Sequence, residues 1–565
     1  MLPDLVTMRG RQLVWRHASL RADDPLSAWQ GLLANRGLSE DDPYFAPRLA
    51  DLPDPDGMYD MPQAAERVAR AVMDSEHIHI FGDFDCDGVC GTAVLLESLR
   101  AAGAHVTSSI PHRADDGHGI GVEPVSEART NGATLGISVD TGTTCFEACR
   151  AARSLGFDLI VTDHHLPDSR LPEAFALLNP AREECGFGDR LLCGTGVAFF
   201  LLVATWKRLK AVGKSPAFDL RRLLDRVAVA TVADVMDLRG VNRILVHHGL
   251  LQLNNAPSIG MAALLDVARV KSTVTTETIG FYIAPRINAA GRMRHGEEAM
   301  RLLATHDPVE ARQLSSLLDE SNKERRRVEA EVFRQAEARL NGSDILAVYH
   351  DDWHAGVVGL AAGRLARKHN RPAAVGFVTP DERVRVSLRG RPGYHIGNLL
   401  NACSEFLEGF GGHAGAGGGT IRPGAWDGFV TAFGKAVEVQ GKGGTHPELP
   451  LDGILGLDAM HAGLAERLTR FEPLGQGNPA CQWLLEAVQI VDRRDMKGGV
   501  VRLRLQQTIS RHGVVDAVVF RPGPMDEVLT PGHQVSVVGQ LKLDDWRGNG
   551  AVQFVIEDLL DEPAN

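Results

Sequence analysis

Three aspartates alternate in Phe81-Gly-Asp-Phe-Asp-Cys-Asp-Gly88, which crowds Asp83, Asp85 and Asp87 into one short segment. Carboxylates this close repel one another, and burying them without counter-charge is costly, so the segment requires basic partners or a cation. The competing reading is a solvated turn, since Asp and Gly are common turn residues. Two further apolar runs end in related chemistry. Residues 135–139 lead into Asp140-Thr-Gly142, and residues 159–161 lead into Thr162-Asp-His-His165. A fourth acid, Asp234, follows a helix-like run over residues 223–230 and reads equally well, by itself, as a polar residue at a helix end.

Carboxylates mixed with imidazoles, and no thiolate, suit Mn²⁺ or Mg²⁺ better than Zn²⁺, and several aspartates can bridge two ions. Two ions fit phosphoester hydrolysis: one lowers the pKa of an attacking water, and the other stabilises the leaving oxygen and the developing charge. Consecutive histidines in extended backbone face opposite ways. One of His164 and His165 is therefore expected at the metal, and the other toward the substrate, to orient or protonate it.

Such a cluster needs a scaffold that brings distant segments to one place. From about residue 64 to 239, helix-like segments alternate with short apolar runs at 78–81, 135–139 and 159–161, the pattern of an α/β unit with a largely parallel sheet. Ligands gather beyond the carboxyl ends of such strands, so the motifs would converge there. A charged stretch at about 308–340, free of interior Gly and Pro, reads as a long connecting helix. A second α/β region follows to about residue 439, with apolar runs at 345–348 and 373–377, and ends at the glycine-dense 441–444 patch. The last hundred or so residues alternate as Val501, Leu503, Leu505, then 515–520, then Val535, Val537, then Val552, Phe554, Ile556, which predicts a small β-barrel. The Pro- and Asp-rich stretch 51–61 marks the close of a short lead-in and linker.

Composition bounds the class. With 44% apolar and 23% charged residues the chain is ordinary globular protein, and no stretch is apolar and long enough to cross a bilayer. Asp4, Arg9 and Arg11 interrupt the N-terminus, so it does not read as a secretory signal, and a cytoplasmic location is expected. Eight cysteines without a C-x-x-C pair argue against a disulfide framework and against a thiolate zinc site. A net charge of −12 runs against nucleic-acid affinity, which comes largely from clustered Lys and Arg. Bound cations offset acidic ligands, however, and an acidic protein can carry a basic groove.

The motifs together resemble the DHH phosphoesterase superfamily, named for the triplet that stands here as Asp163, His164 and His165. Ile283-Ala-Pro-Arg-Ile-Asn-Ala-Ala-Gly-Arg-Met293, Trp353-His-Ala-Gly-Val-Val-Gly359 and Gly411-Gly-His-Ala-Gly-Ala-Gly417 resemble segments of the RecJ-type single-stranded-DNA exonucleases, and the likeness runs from about residue 75 onward. It implies a lead-in and linker (1–62), a DHH domain (63–305), a connecting helix (306–342), a DHH-associated domain with the Gly-Gly-His motif (343–445) and an OB-fold (446–565). It also implies processive 5′→3′ removal of nucleotides from single-stranded DNA with Mn²⁺ or Mg²⁺, in recombination and repair. The chain would act as a monomer, beside a helicase and a single-strand-binding protein.

By resemblance Asp85, Asp87, Asp140, His164 and Asp234 stand at metal-ligand positions, and Asp83 and His165 at supporting or catalytic ones. Asp163 either fixes an imidazole tautomer or binds metal directly. Arg113, Arg286, Asn288, Arg292, Ser387 and Arg389 are candidates for a terminal-phosphate pocket, because guanidinium groups offer paired planar donors; the competing reading for each arginine is a surface ion pair. Gly412 and His413 would admit close backbone approach and polarise a phosphate. In the barrel, Trp546 is the candidate for base stacking, with Arg502, Arg504, Lys542 and Arg547 along a backbone path, while Phe520 and Phe554 are expected in the core. The chain departs from the family pattern at Cys86, which would make the site sensitive to oxidation, and at Asp237, where Pro is common. Two rival functions remain at this point: a DHH phosphatase acting on short oligonucleotides or nucleotide monophosphates, and a catalytically silent scaffold.

Overall fold

The structure is a computed structural model describing residues 5–111, 119–441, 446–507, 513–544, 547 and 550–561. It divides into two compact units, one of residues 1–47 with 445–565 and one of residues 48–444. The stretch read from sequence as a lead-in is folded. After β1 (Gln12–Trp15) and β2 (Arg21–Ala22), Asp24 accepts two amide hydrogen bonds as N-cap, Pro25 occupies the first turn, and Gly37 closes α1 (Pro25–Arg36) in a left-handed conformation. Those signals, an Asp-Pro start and a glycine stop, explain the helix.

The second unit begins with α2 (Met61–Met73), β3 (His77–Gly82), α3 (Cys86–Ala101), β4 (His105–Ser109), α4 (Val122–Thr130), β5 (Leu135–Val139), α5 (Phe146–Ser154), β6 (Asp158–Thr162), β7 (Ala176–Leu178), α6 (Gly194–Ala211) and α7 (Leu224–Ala233). Its five strands lie in the order β4-β3-β5-β6-β7, all parallel. Alternation sorts the side chains. Ile78, Ile137 and Ile160 enter a core with α2, α3, α6 and α7, while Leu159 and Val161 enter a second core with Val125 of α4 and Ala148 of α5. A sheet covered on both faces needs near-continuous apolar strands, and every residue of β5 is buried.

There follow α8 (Gly240–Asn255), α9 (Ile259–Val267), the single-turn α10 (Thr276–Thr278), a π-helical turn, α11 (Ala284–Met293), α12 (Gly296–Ala304) and α13 (Pro308–Leu340). The expected connecting helix is α13, 33 residues or roughly 50 Å. Its first half adds Leu314 and Leu318 to the DHH-side core, and its second half adds Val332, Ala336 and Leu340 to a separate core. The second sheet, ordered β11-β12-β10-β9-β8, comprises β8 (Leu346–His350), β9 (Ala373–Val378), β10 (Val384–Arg389), β11 (Leu407–Gly412) and β12 (Ala416–Ile421); α14 (Ala355–His369), α15 (Ile396–Ala402) and α16 (Trp426–Gly441) accompany it. Only β8 and β9 pair in parallel.

In the first unit, β13 (Glu448–Leu451) pairs with β1 and β14 (Gly453–Leu455) pairs with β2. After α17 (Ala462–Thr469), strands β15 (Trp483–Met496), β16 (Val500–Gln506), β17 (Val514–Phe520), β18 (Gln534–Leu543) and β19 (Val552–Asp561) close a five-stranded barrel, because β15 pairs with both β16 and β18. Register shifts in both pairings of β15 let one long strand turn the corner. Trp29 and Leu32 of α1 are fully buried with Phe471 and Trp483 in the core of this unit. Burial at about 1.5–3 kcal/mol per large side chain is what folds the segment onto the barrel, where sequence suggested a lead-in and linker.

Candidate active site

β3, β5 and β6 stop at Gly82, Val139 and Thr162, and the next residues are Asp83, Asp140 and Asp163. The parallel sheet thus delivers three acids to one edge. Asp85 caps α3, accepting from the amides of Asp87 at 3.0 Å and Gly88 at 3.2 Å. Asp87, in the first turn of α3, accepts from the amides of Gly194 at 2.7 Å and Thr195 at 2.8 Å, which open α6. Two helix N-termini, with their unpaired amides and positive dipole ends, therefore meet the acidic cluster. This convergence leaves no room for side chains at two glycines: a Cβ on Gly88 would lie 2.5 Å from Asp83 N, and one on Gly194 would lie 2.6 Å from Asp140 Cα. Asp140 itself has φ +61°, a conformation seldom adopted outside glycine and one that surrounding structure must hold.

His164 faces inward. Its Nε2 lies 3.1 Å from Asp140 Oδ1, 3.6 Å from Asp234 Oδ2 and 3.9 Å from Asp87 Oδ2, and its side chain is 14% exposed. His165 faces outward at 57% exposure, with Nδ1 2.8 Å from Asp163 Oδ1. The two rings are not opposed as expected of consecutive histidines in extended backbone: the chain leaves the strand after Thr162, the ring centroids lie 4.7 Å apart, and His165 Nδ1 also comes within 3.9 Å of Asp140 Oδ1. Asp163 accepts from the amides of Thr143 at 2.8 Å, His164 at 2.7 Å and His165 at 3.2 Å, besides its bond to the His165 ring. Burial raises the Asp163 carboxyl, yet the hydrogen bond from His165 and those from Thr143 hold it at about 2. The same bond, donated to Asp163, lifts His165 to about 9 against its burial. Of the two roles open for Asp163, this geometry fits the orienting one, and the ring it orients is His165.

Three sets of donor atoms lie close enough to hold a metal: Asp83, Asp85 and Asp140; Asp87, His164 and Asp234; and Asp140, His164 and His165, each with its atoms within 4.8 Å of one another. The electrostatics fit such a group. Burial, then the charges of Asp87, Asp85 and Asp83, push Asp140 well above the usual carboxylate range; burial with Asp87 and Asp85 pushes Asp234 to about 8; burial and Asp87 raise Asp85. Among the described residues the ion pairs of Asp87, Asp140 and Asp234 are with His164 or His165, and no Lys or Arg pairs with these three. A divalent cation supplies the missing positive charge, and oxygen with imidazole nitrogen is a donor set for Mn²⁺ or Mg²⁺.

The expected substrate residues are more dispersed. Asn288 accepts from the Cys86 amide at 2.9 Å and so braces the aspartate loop. Arg286 departs from the expected phosphate role: its Nε and Nη2 pair with Asp319 of α13 at 3.0 and 2.8 Å, and Nη1 donates to the Tyr282 carbonyl at 2.6 Å. Buried between α11 and α13, its guanidinium is directed at the connecting helix. Arg292 donates to the Gly356 carbonyl at 3.1 Å. Ser387 and Arg389 both approach Gly359 of α14, and Gly412 and His413 are exposed at the tip of the β11–β12 hairpin. Arg113 and Trp546 lie outside the described residues. In the barrel Phe554 is fully buried as expected, but Phe520 ends β17 at 56% exposure. Arg502 pairs with Asp544 and Arg547 with Asp516, which opposes their use along a backbone path.

Cys86 also departs from expectation. It is buried, and a hydrogen bond with Cys90, burial and the neighbouring acids raise its thiol well above the ordinary value, so it is a poor target for oxidation. Asp237, in place of the usual proline, pins its turn by pairing with Arg239. Three contributors escape sequence reasoning. Asn179, directly after β7, is fully buried and donates to Thr143 Oγ1 at 2.9 Å and to the His165 carbonyl at 2.8 Å. Gly194 and Thr195, which hold Asp87, carry only the signal of a Gly-Thr-Gly ahead of an apolar run.

Residues 77–231 match the DHH family, N-terminal domain, residues 342–439 the DHHA1 domain, and residues 451–558 the RecJ OB domain. A single-stranded-DNA-specific exonuclease RecJ of Dickeya dadantii is 33% identical over 527 residues, covering 88% of this chain and 90% of that relative. The RecJ of Bacillus subtilis is 30% identical over 520 residues, and the match covers 90% of this chain but 64% of the length of that relative. The crystal structure of RecJ in complex with Mn²⁺ from Thermus thermophilus is similar at a TM-score of 0.78 and 28% identity, over 98% of this chain and 80% of that one; a complex of the same protein contains Mg²⁺. Among the described residues, no helix is long and apolar enough to cross a membrane. With its cluster of acids and histidines at the sheet edge, its three domain matches in order and relatives alike over most of its length, the chain belongs to the RecJ family of DHH-domain proteins.

Proposed function

We propose that this chain is a metal-dependent exonuclease that removes nucleotides from the 5′ end of single-stranded DNA. One observation carries the reading: Asp140 and His164 each belong to two of the three donor sets, so side chains from four segments can hold two ions side by side. Asp85, Asp87, Asp140, His164 and Asp234 are the proposed ligands, with Asp83 in support. These residues would hold divalent ions, whose positive charge would lower the pKa of a water and stabilise the leaving oxygen. His165 keeps its Nδ1 proton toward Asp163, which leaves Nε2 to meet the phosphate and carry a proton at its raised pKa. Ser387, Arg389 and His413 are proposed to receive the terminal phosphate, with Arg113 as a further contact, and Trp546 of the barrel is proposed to stack a base. Work in recombination and repair as a monomer, with a helicase and a single-strand-binding protein, belongs to the same proposal, which rests there on the family resemblance.

Digestion of one strand labelled at either end, with Mn²⁺ or Mg²⁺ and with or without a duplex tail, tests it. Early release of 5′ label from the single strand alone is the expected result. Release of inorganic phosphate only from short oligonucleotides would favour a phosphatase, and binding without nucleotide release would favour a scaffold.

A further inference from the structure

Asp234 and His165 are each followed by a large apolar side chain that the fold leaves in solvent: Val235 is 68% exposed and Leu166 is 73% exposed. Asp234 Oδ2 lies 3.6 Å from Nε2 of His164, whose ring centroid is 4.7 Å from that of His165, so both aliphatic residues directly follow, along the chain, residues of one cluster. Val235 is unusual for a second reason. α7 ends with the Val235 amide donating to the Val232 carbonyl at 3.2 Å and the Met236 amide to the Thr231 carbonyl at 3.1 Å. This is the helix-closing pattern that requires a left-handed residue, normally glycine, at the position of Val235, which has φ +56°. A β-branched residue there is strained, and its exposed side chain has no packing role that offsets the strain. The fold would be served better by glycine.

From this we infer that Leu166 and Val235 form an apolar rim that contacts the sugar and base of the 5′-terminal nucleotide, the one released when the phosphodiester at the metal centre is cut, and so set substrate position. The inference rests on the exonuclease reading and adds a subsite to it. Apolar contact beside a polar reacting centre is how a site grips a nucleotide without regard to sequence, since every base and sugar offers an apolar face.

Full-length protein with Mn²⁺ is compared on two 5′-phosphorylated single strands, one ordinary and one lacking the base of its terminal nucleotide. On the ordinary strand, Val235→Gly and Leu166→Ala are each expected to lower kcat/KM about tenfold, or about 1.4 kcal/mol, mainly through KM. Val235→Ile keeps the bulk and retains wild-type values. Mn²⁺ affinity is unchanged, and the thermal midpoint of metal-free Val235→Gly is no lower than that of wild type, because glycine relieves the backbone. On the strand without the terminal base, wild type falls toward the variants. Unaltered kcat/KM in both variants, an equal loss on both strands, or a loss of Mn²⁺ affinity overturns the rim. Wild-type protein that releases nucleotides from neither strand overturns the exonuclease reading together with it.

Discussion

Asp140 concentrates the physics of the site: buried, held at positive φ, and surrounded by Asp83, Asp85 and Asp87, it is unfavourable in the metal-free protein. Asp140→Asn removes a charge without changing shape. It should raise the thermal midpoint of metal-free protein while abolishing Mn²⁺ uptake in calorimetry and nucleotide release with it; a variant that still takes up Mn²⁺ would place the ligands elsewhere. Asp163 acts one step away. Asp163→Asn leaves His165 without its charged partner and should cost about 10–100-fold in activity, with the alkaline limb of the pH–rate profile moved to lower pH. At this scale the sequence was informative because three apolar runs each end in acid or imidazole, a convergence that solvated turns alone do not produce. It pointed Arg286 at phosphate, because its motif suits that ligand, whereas its surroundings supply Asp319.

Elements fix where these residues can stand. Gly194 brings the start of α6 against Asp140, so Gly194→Ala should displace both Asp87 and Asp140 and reduce activity by more than about tenfold, measured beside circular dichroism to show the fold retained. α7 is tied to α3 by Arg226, fully buried against Glu97 and adjacent Asp225. Arg226→Met would leave uncompensated buried acids and should lower unfolding free energy by about 3–5 kcal/mol in urea titration. On β3, burial and then the charge of His77 depress His79 to about 4, with its ring bonded to Thr107 and Ser109 of β4. The unfolded chain binds that proton near pH 6.5, so this histidine's contribution is intact above about 6.5 and is lost as pH falls toward 4. His79→Gln should flatten the loss of stability in that window, and an unchanged pH profile would remove His79 as its source.

Across the whole molecule, the N-terminal residues belong with the barrel rather than with the DHH domain they precede in sequence. β1 and β2 pair with β13 and β14, and Trp29 is buried beside Phe471 and Trp483. A truncation at residue 445 that keeps residues 1–47 should therefore expose α1 and aggregate, whereas residues 48–444 should fold. That shorter chain should still hydrolyse short single strands while losing affinity for long ones, as read by binding isotherms against strand length. Comparable long-strand affinity would deny the barrel a role in DNA binding.

The sequence by itself determined the local chemistry and its order: acids after apolar strands, a charged helix at 308–340, alternation in the last hundred residues. These are short-range patterns, with periods of two or about 3.6 residues, and they survive without knowledge of contacts. Only the tertiary structure decided which long-range partners each residue meets. It assigned Asp163 to His165, Asp87 to the amides of Gly194 and Thr195, Arg286 to Asp319, and α1 to a barrel more than four hundred residues away. The reason is that burial and ion pairing depend on neighbours distant in the chain, and one sequence read alone carries no measure of that distance.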